Sequence, residues 1–255
     1  MDKQPVIDVV ELRKSFGGNE VLKGVNLKIY KGETVVVLGR SGCGKSVLLR
    51  HMIGLMKPDS GKILVDGVDV TKLKHDDLYE MRKKFGMLFQ GAALFDSMSV
   101  WENVGLGLME HTNLSVDEIR KIVCRKLELV GLSQLDDLKP AELSGGMKKR
   151  VGLARAIAMD PPVILYDEPT TGLDPIMADV INELIRELQN SLDITSVAVT
   201  HDMKSACKIG DRLALMFDGR IVFEGTPDEV RSTDDELVKQ FIEGRAHGPI
   251  GVQER

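Results

Sequence analysis

The sequence is short of cysteine and of long hydrophobic runs, and each shortage excludes a class of protein. Three cysteines, Cys43, Cys124 and Cys207, are too few and too widely spaced for a disulfide framework or a zinc site, so they indicate a reducing compartment. No apolar run approaches the roughly 20 residues of a membrane-spanning helix, and the first residues lack the apolar core of a signal peptide. We therefore expect a protein that lies in the cytosol or is held at the cytosolic face of a membrane by a partner.

An excess of positive charge is also missing. The chain has 34 Lys and Arg against 39 Asp and Glu, a net charge of −5, which argues against nucleic acid as a partner. We interpret two short basic runs, 82–84 and 148–150, as solvated faces of helices. The 255 residues, of which 43% are hydrophobic and 29% are charged, suit an ordinary globular protein with one large domain or two modest ones.

A glycine-rich loop, GRSGCGKS at Gly39–Ser46, is the feature around which the chain is organised. It lies between an apolar run at 34–38 and apolar residues at helical spacing, so a strand and a helix are predicted on either side. Glycines let such a loop wrap around an anion, and the start of the helix adds a positive end. Lys45 can reach terminal phosphates, and the Ser46 hydroxyl can ligate Mg²⁺. The flanking elements favour a nucleoside triphosphate site over a flexible loop, with predicted contacts from Gly39, Arg40, Ser41, Gly42, Cys43, Gly44, Lys45 and Ser46.

Antiparallel strands are predicted around this loop. Val25, Leu27 and Ile29 alternate with polar residues as in a half-buried strand, and Asp66-Gly67 is a hairpin signal. Phe16 precedes a glycine pair at a turn, where its ring could stack on a nucleotide base. By itself this position would be interpreted by default as that of an aromatic residue at the edge of a core.

The next segment combines a buried strand with an apolar loop. Phe85–Phe89 is predicted as the strand, and Gln90 stands at its end. The loop Gly91–Met98 is apolar without a strand or helix period, which indicates a docking surface or a loop folded onto its own core. A helical subdomain is predicted from Val100 to about residue 160.

Two helix starts in this region carry signals of different kinds. Ser115 and Glu118 have the spacing of a capping box. Ser144, Gly145 and Gly146 open another helix, and their sequence suits a second anion site, although alone it would only be a good cap.

Two neighbouring strands end in residues of catalytic type. The apolar run from Val163 ends in Asp167 and Glu168, and a buried strand rarely ends in two acids for packing reasons. Asp167 suits a magnesium ion, and Glu168 could polarise an attacking water. His201 ends the next predicted strand and can converge on the phosphates, although a lone histidine is usually structural.

Taken in order, these motifs make the chain resemble the nucleotide-binding subunit of an ATP-binding-cassette (ABC) transporter. Gly39–Ser46 resembles the Walker A motif, Gln90 the Q-loop, 143–147 the signature motif and 163–168 Walker B; 172–174 resembles the D-loop and His201 the H-loop. The resemblance implies an α/β fold: a P-loop NTPase (RecA-like) core with an antiparallel β subdomain and an inserted α-helical subdomain. The expected boundaries are a single ABC ATPase domain at 1–245, with its core at 1–89 and 161–225, helical subdomain at about 90–160, C-terminal helix at about 226–244, and a tail at 245–255 that is an arm or disordered.

The resemblance also implies roles for single residues. Glu168, His201 and Lys45 would be catalytic, and Ser46, Gln90 and Asp167 would hold Mg²⁺. Phe16 falls where the family places the aromatic residue that stacks on the base. The family works as a head-to-tail homodimer, with each ATP held between one Walker A motif and Ser144, Gly145 and Gly146 of the other subunit. This arrangement would explain why one chain carries two anion-binding helix starts.

A finer resemblance is to the MlaF-type ATPases of bacterial phospholipid transport. It rests on the signature region, LSGGMKKR, and on the stretch GAALFDSMSVWENV that begins at Gly91. It implies an MlaE-type permease docking at Gln90–Met98, an MCE-domain (MlaD-type) protein, in some systems a STAS-domain (MlaB-type) subunit, and a place on the cytoplasmic face of the inner membrane. Met147, Val47 and Tyr166 depart from the commonest family pattern. The alternatives are an ABC ATPase for another solute and a soluble, non-transport ABC ATPase.

Overall fold

The computed structural model describes residues 4–251. Its β-strands are β1 (Ile7–Phe16), β2 (Asn19–Ile29), β3 (Thr34–Leu38), β4 (Ser60–Val65), β5 (Val68–Asp69), β6 (Phe85–Leu88), β7 (Val163–Asp167), β8 (Thr195–Thr200), β9 (Arg212–Phe217) and β10 (Arg220–Gly225). Its α-helices are α1 (Lys45–Met52), α2 (His75–Arg82), α3 (Val100–His111), α4 (Val116–Leu129), α5 (Gly145–Ala156), α6 (Pro175–Leu192), α7 (Met203–Ile209), α8 (Pro227–Ser232) and α9 (Glu236–Glu243). Within residues 4–251, each helix is too short or too polar to cross a membrane.

The chain divides into two compact units. The first comprises the described residues up to 72 together with those from 199 onward, and the second comprises residues 73–198. The division falls inside β8, between Ala198 and Val199. The predicted boundaries of the helical subdomain, about 90–160, remain a prediction.

The first unit contains an antiparallel sheet in the order β2-β1-β4-β5. Ile7 of β1 pairs with Ile29 of β2 on one side and with Val65 of β4 on the other. The hairpin predicted at Asp66-Gly67 is confirmed: β4 and β5 pair antiparallel, and both turn residues have positive φ, 49° and 79°. The alternating apolar residues of β2 are buried, so this sheet has one face on the core.

The other strands of the first unit follow the order β10-β9-β3. All five residues of β3 are buried, as expected of a central strand, and β3 runs parallel to β9. β9 and β10 form an antiparallel hairpin whose turn contains Asp218. Because β3 and β9 are parallel, their carboxyl ends lie at the same end of the sheet. The glycine-rich loop, which follows β3, therefore starts at that end.

The second unit combines the strands β8, β7 and β6 with a group of helices. β7 runs parallel to β6, with Val163 paired to Phe85, and all of β7 is buried. Helices α3, α4 and α5 pack on one another, and α5 also packs on β6. The capping box predicted at Ser115 is confirmed, because its side chain accepts from the backbone of Glu118 while Glu118 reaches back.

The C-terminal region differs from the sequence prediction in two respects. A single helix was expected over about 226–244, but the structure has α8 and α9, because Asp235 caps a new helix through Leu237 and Val238. The tail is also ordered as far as it is described: Gln240 exchanges two hydrogen bonds with the backbone of Ile250, whose side chain is buried. Residues 252–255 of the predicted tail lie outside the described residues.

Candidate active site

The predicted site residues fall into both units. The first unit holds Phe16, the phosphate loop Gly39–Ser46 and His201. The second unit holds Gln90, the pair Asp167 and Glu168, and the signature residues Ser144, Gly145 and Gly146.

The phosphate loop connects the buried strand β3 to α1, as predicted. Gly44 occupies the N-cap position of α1 with φ of 106°, where an L side chain is strained, and it supplies no side-chain cap. A Cβ at Gly44 would also lie 2.9 Å from Cδ2 of Leu22. The helix therefore starts at a position that only glycine fits. Because glycine has no side chain to cap the free N–H groups of the helix, another group must accept their hydrogen bonds. A phosphate is the natural candidate.

Lys45 turns its charged end back into this loop. The side chain is 5% exposed, and Nζ donates to the carbonyl oxygens of Gly39 (2.8 Å) and Arg40 (3.1 Å). Main-chain oxygens thus hold the ammonium group beside the loop. Ser46 follows in the first turn of α1.

Phe16 and His201 lie at the ends of two other strands of the first unit. Phe16 ends β1, is 43% exposed and has Nζ of Lys14 5.5 Å from its ring centroid. His201 is exposed immediately after β8, where Asp202 caps the start of α7. Both side chains are accessible to a ligand.

The acid pair in the second unit ends the fully buried strand β7. Asp167 and Glu168 are 4% and 7% exposed. Glu168 has a left-handed φ of 49°, a conformation that costs a non-glycine residue about 1–2 kcal/mol. Thr171 stabilises this turn, because its backbone N–H donates to the Glu168 carbonyl (3.3 Å) and its hydroxyl to the Glu168 carboxylate (3.0 Å).

Lys149 is a site neighbour that sequence reasoning missed. The interpretation of 148–150 as a solvated helix face is wrong for this residue, which is 5% exposed. Its Nζ donates to the main-chain carbonyl oxygens of Gln90 and, at 3.1 Å, of Glu168. Burial lowers the Lys149 pKa to about 8, against the opposing effect of the Asp167 and Glu168 carboxylates. Helical spacing could have indicated this burial, because Lys149 lies on the same face of α5 as Gly146 and Gly152, which are also buried.

The loop after Gln90 is held by side chains that the sequence analysis did not identify. Arg155 donates to the carbonyl oxygens of Ala92 and Ala93, both of which have left-handed φ. The buried amide of Asn103 bonds both the N–H and the carbonyl of Phe95, and the carbonyl of Met98. The loop therefore presents Phe95, which is 51% exposed, on a fixed backbone.

The signature residues form the start of α5. Ser144 is exposed and caps the helix, its Oγ accepting from the backbone of Met147 at 3.3 Å. Gly145 is exposed and Gly146 is buried. The structure thus shows the helix cap, and the second anion site remains a prediction with which the cap is compatible, since a capping serine can also donate its hydroxyl hydrogen to an anion.

The predicted magnesium ligands have suitable chemistry. Ser46, Gln90 and Asp167 offer hydroxyl, amide and carboxylate oxygens, the hard donors that Mg²⁺ prefers. Within residues 4–251 no cluster of three His, Cys, Asp or Glu could hold a metal ion. Proteins commonly bind Mg²⁺ through one or two carboxylates together with substrate phosphates.

Comparison with known proteins agrees with these features. The profile of the family described as "ABC transporter" matches residues 22–171. The chain is 44% identical to a "probable ribonucleotide transport ATP-binding protein mkl" of Mycobacterium leprae, over 97% of this chain and 72% of that protein. It is 42% identical to an "intermembrane phospholipid transport system ATP-binding protein MlaF" of Haemophilus influenzae, over 97% of this chain and 94% of that protein.

Solved structures confirm the predicted α/β P-loop fold. One is an ATP-binding cassette in a dimeric post-hydrolysis state with ADP and phosphate bound, at a TM-score of 0.80 and 34% identity, covering 87% of this chain and 98% of that one. Another is cbiO1 of an ABC transporter complex from Clostridium perfringens, at a TM-score of 0.82 and 35% identity, covering 93% and 94% of the two chains. At these identities the likeness extends beyond the fold to the family.

Proposed function

Because this chain belongs to the ABC transporter family and is one of its ATPases, we propose that its ATP hydrolysis powers phospholipid transport between bacterial membranes. It would act at the cytoplasmic face of the inner membrane, bound to a permease. The observation that carries the cargo assignment is coverage: the chain spans 94% of the MlaF protein of Haemophilus influenzae and 93% of that of Escherichia coli. It spans 72% of the Mycobacterium leprae protein named for ribonucleotide transport.

In this proposal the residues of the first unit bind ATP. The amides of the loop Gly39–Ser46 surround the phosphates, and Lys45 adds a charge-assisted hydrogen bond. Its present contacts with the carbonyls of Gly39 and Arg40 support this role, because they hold the ammonium where a phosphate oxygen can replace an acceptor. Phe16 stacks on the base.

The acid pair and His201 act on the terminal phosphate. Glu168 orients and polarises the attacking water, and its buried position beside Asp167 at a strand end supports that role. Mg²⁺ bound through Ser46, Gln90 and Asp167 would neutralise charge on the phosphate oxygens. His201 donates a hydrogen bond to the γ-phosphate.

We further propose that two copies of the chain close on two ATP molecules. Ser144, Gly145 and Gly146 of one copy meet the phosphates held by the other, so removal of the γ-phosphate loosens the dimer. The dimeric state of the related cassette with ADP and phosphate supports this proposal.

The permease would dock at Gln90–Met98. The fixed backbone of this loop and the exposed ring of Phe95 support a protein contact there. An MlaE-type permease, an MlaD-type MCE protein and an MlaB-type STAS subunit are the partners proposed for a phospholipid system.

Glu168→Gln tests the catalytic assignment. The variant keeps the side chain's size but cannot accept a proton from water, so we expect ATP affinity within twofold of the parent and hydrolysis lowered at least a hundredfold. ATP should also stabilise a closed dimer, measured by size-exclusion chromatography with light scattering. Near-normal hydrolysis would refute Glu168 as the catalytic base.

The cargo is tested with the native complex. We expect purification of the chain from its host to recover a permease, and the reconstituted complex to move labelled phospholipid between vesicles only with hydrolysable ATP. Transport of a labelled ribonucleotide in the same vesicles, without phospholipid movement, would favour the second candidate, which the name of the mycobacterial relatives suggests.

A further inference from the structure

One side chain of α5 connects three segments to which the proposed function gives roles. α5 begins with the signature residues, and Lys149 lies on its buried face one turn further on. The Lys149 ammonium donates to the carbonyl of Gln90, 59 positions away in sequence, and to that of Glu168, 19 positions away. The signature helix, the Q-loop and the acid pair therefore meet at a single charged group inside the second unit.

The Glu168 end of this connection is a strained backbone. A left-handed φ is rare for a residue other than glycine, asparagine or aspartate, and it persists only where the surroundings hold it. The Glu168 carbonyl accepts from Lys149 at 3.1 Å and from the Thr171 N–H at 3.3 Å. The direction in which the Glu168 carboxylate leaves the chain depends on this backbone.

The Gln90 end is held to the same helix by further contacts. Arg155, also on α5, donates to Ala92 and Ala93, the second and third residues after Gln90. Gly152 lets the loop approach closely, since a Cβ there would lie 2.7 Å from Cδ1 of Leu88 and 3.3 Å from Cβ of Ala92. Arg155 and Lys149 therefore connect the Q-loop to α5, and Lys149 also connects it to the backbone of Glu168.

A buried charge with this environment needs a reason. Taking an ammonium out of water is costly, and a methionine would fill much the same space without that cost. The two acceptors of Lys149 are the main-chain oxygens of Gln90, a proposed magnesium ligand, and of Glu168, the proposed base. The negative charges of the Asp167 and Glu168 carboxylates also favour the charged form of Lys149. Its contacts thus serve the geometry of the site.

We propose that Lys149 is a positioning residue for hydrolysis: it fixes the backbone of Glu168 and ties it to the Q-loop. The inference rests on the proposed role of Glu168 as the base. Lys149 does not touch ATP or the reacting water in this proposal, and it acts through the orientation of the Glu168 carboxylate. Loss of its ammonium therefore slows the chemical step and leaves nucleotide binding intact.

The test compares Lys149→Met with Lys149→Arg in the full-length chain within its purified transporter complex. We expect Lys149→Met to lower kcat at least tenfold with ATP affinity within twofold of the parent. Lys149→Arg, whose guanidinium can donate to both carbonyls, should restore kcat to within threefold. Lys126→Met is the matched control, because Lys126 is also a buried lysine of the second unit but pairs with Asp160; its kcat should stay within twofold.

A double-mutant cycle separates positioning from general stability. If Lys149 acts through Glu168, adding Lys149→Met to Glu168→Gln lowers the residual rate no further, whereas an independent structural effect is additive. A kcat within twofold of the parent for Lys149→Met, or full additivity with Glu168→Gln, would overturn the inference. If the methionine variant does not fold, Lys149→Gln, which can donate to one carbonyl at a time, takes its place with the same criteria and an expected fivefold loss.

The two proposals fail in different ways. Normal hydrolysis by Glu168→Gln would remove the assignment of the base, whatever Lys149 does. Loss of hydrolysis in Glu168→Gln with normal kcat in Lys149→Met would leave the base in place and remove only the positioning role.

Discussion

Two buried lysines of the proposed site, Lys45 and Lys149, donate hydrogen bonds to main-chain carbonyls. Lys45 donates to Gly39 and Arg40, and Lys149 to Gln90 and Glu168. Carbonyl oxygens of a loop move with its backbone, so each contact reports the conformation of the loop that it holds. At the residue scale, the charges of these two lysines are therefore tied to loop geometry.

Lys45→Ala should weaken ATP binding without unfolding the protein. A hydrogen bond to a charged group contributes about 1.5–3 kcal/mol, so we expect Kd to rise by about tenfold to a hundredfold. Isothermal titration calorimetry measures this change, and Lys62→Ala, at an exposed position of β4, is the control. An unchanged Kd for Lys45→Ala would count against the phosphate-loop assignment.

Tyr166 carries a buried hydroxyl that the fold does not use. The ring is fully buried in β7, and among residues 4–251 neither its hydroxyl nor that of Ser196 on β8 reaches a partner in hydrogen-bond geometry. Burial raises the Tyr166 pKa. Tyr166→Phe removes an unsatisfied polar atom, so we expect the free energy of unfolding in urea to rise by about 1 kcal/mol. A loss of stability would show that the hydroxyl has a partner, and Tyr166→Leu, which leaves a cavity, should be destabilised in either case.

At the scale of elements, three helices within residues 4–251 start with a reciprocal cap between a hydroxyl and a glutamate. The pairs are Ser99 with Glu102, Ser115 with Glu118, and Thr226 with Glu229. The caps at Ser115 and Thr226 can be recognised from the spacing of the hydroxyl and glutamate residues in the sequence. The cap at Ser99 is hidden in the apolar loop that precedes α3, where Ser99 follows Met98 directly.

These caps make stability depend on pH in a defined direction. Hydrogen bonds from the backbone and hydroxyl of the capping residue hold the pKa of Glu102, Glu118 and Glu229 below the ordinary value of 4.5. A group whose pKa is depressed by folding contributes stability above its unfolded pKa and loses it as pH falls through the folded value. We therefore expect the free energy of unfolding to decrease as pH falls below about 4.5, measured by urea denaturation across pH.

Glu118→Gln tests this dependence on one helix. Its amide does not take up a proton as the pH falls, so the decrease below pH 4.5 should be shallower than in the parent. Glu128→Gln, on the same helix but outside the cap, is the control. Parallel curves for parent and Glu118→Gln would contradict the assignment.

At the scale of the whole molecule, the two copies proposed to share ATP meet at the start of α5. Ser144→Arg places a long charged side chain at an exposed N-cap, so single-subunit ATP affinity should stay within twofold while closure is blocked. The measurement is light scattering with ATP in the Glu168→Gln background. Ser115→Arg removes another N-cap serine of the same unit and should still allow dimers. Dimers of the Ser144→Arg protein would exclude the shared site.

The sequence by itself determined the elements whose physics is local. The phosphate loop, the hairpin at Asp66-Gly67 and the cap at Ser115 each depend on residues a few positions apart, so their patterns survive in one dimension. The resemblance to ABC ATPases rests on such short motifs, and the comparisons confirm it. The reactive residue types of the site were therefore predictable.

Only the tertiary structure decided what surrounds those motifs. Lys149 was expected on a solvated face, yet it is buried. Its acceptors lie 59 and 19 positions away in sequence, so the residues next to Lys149 do not show that its charge has partners. Arg155 reaches Ala92 across 63 positions, and Ile250 is buried on Gln240 although no periodic pattern marks the tail. A polar group can be buried only where the fold supplies hydrogen-bond partners for it. Those partners are distant in sequence here, so no local sequence pattern predicts the burial.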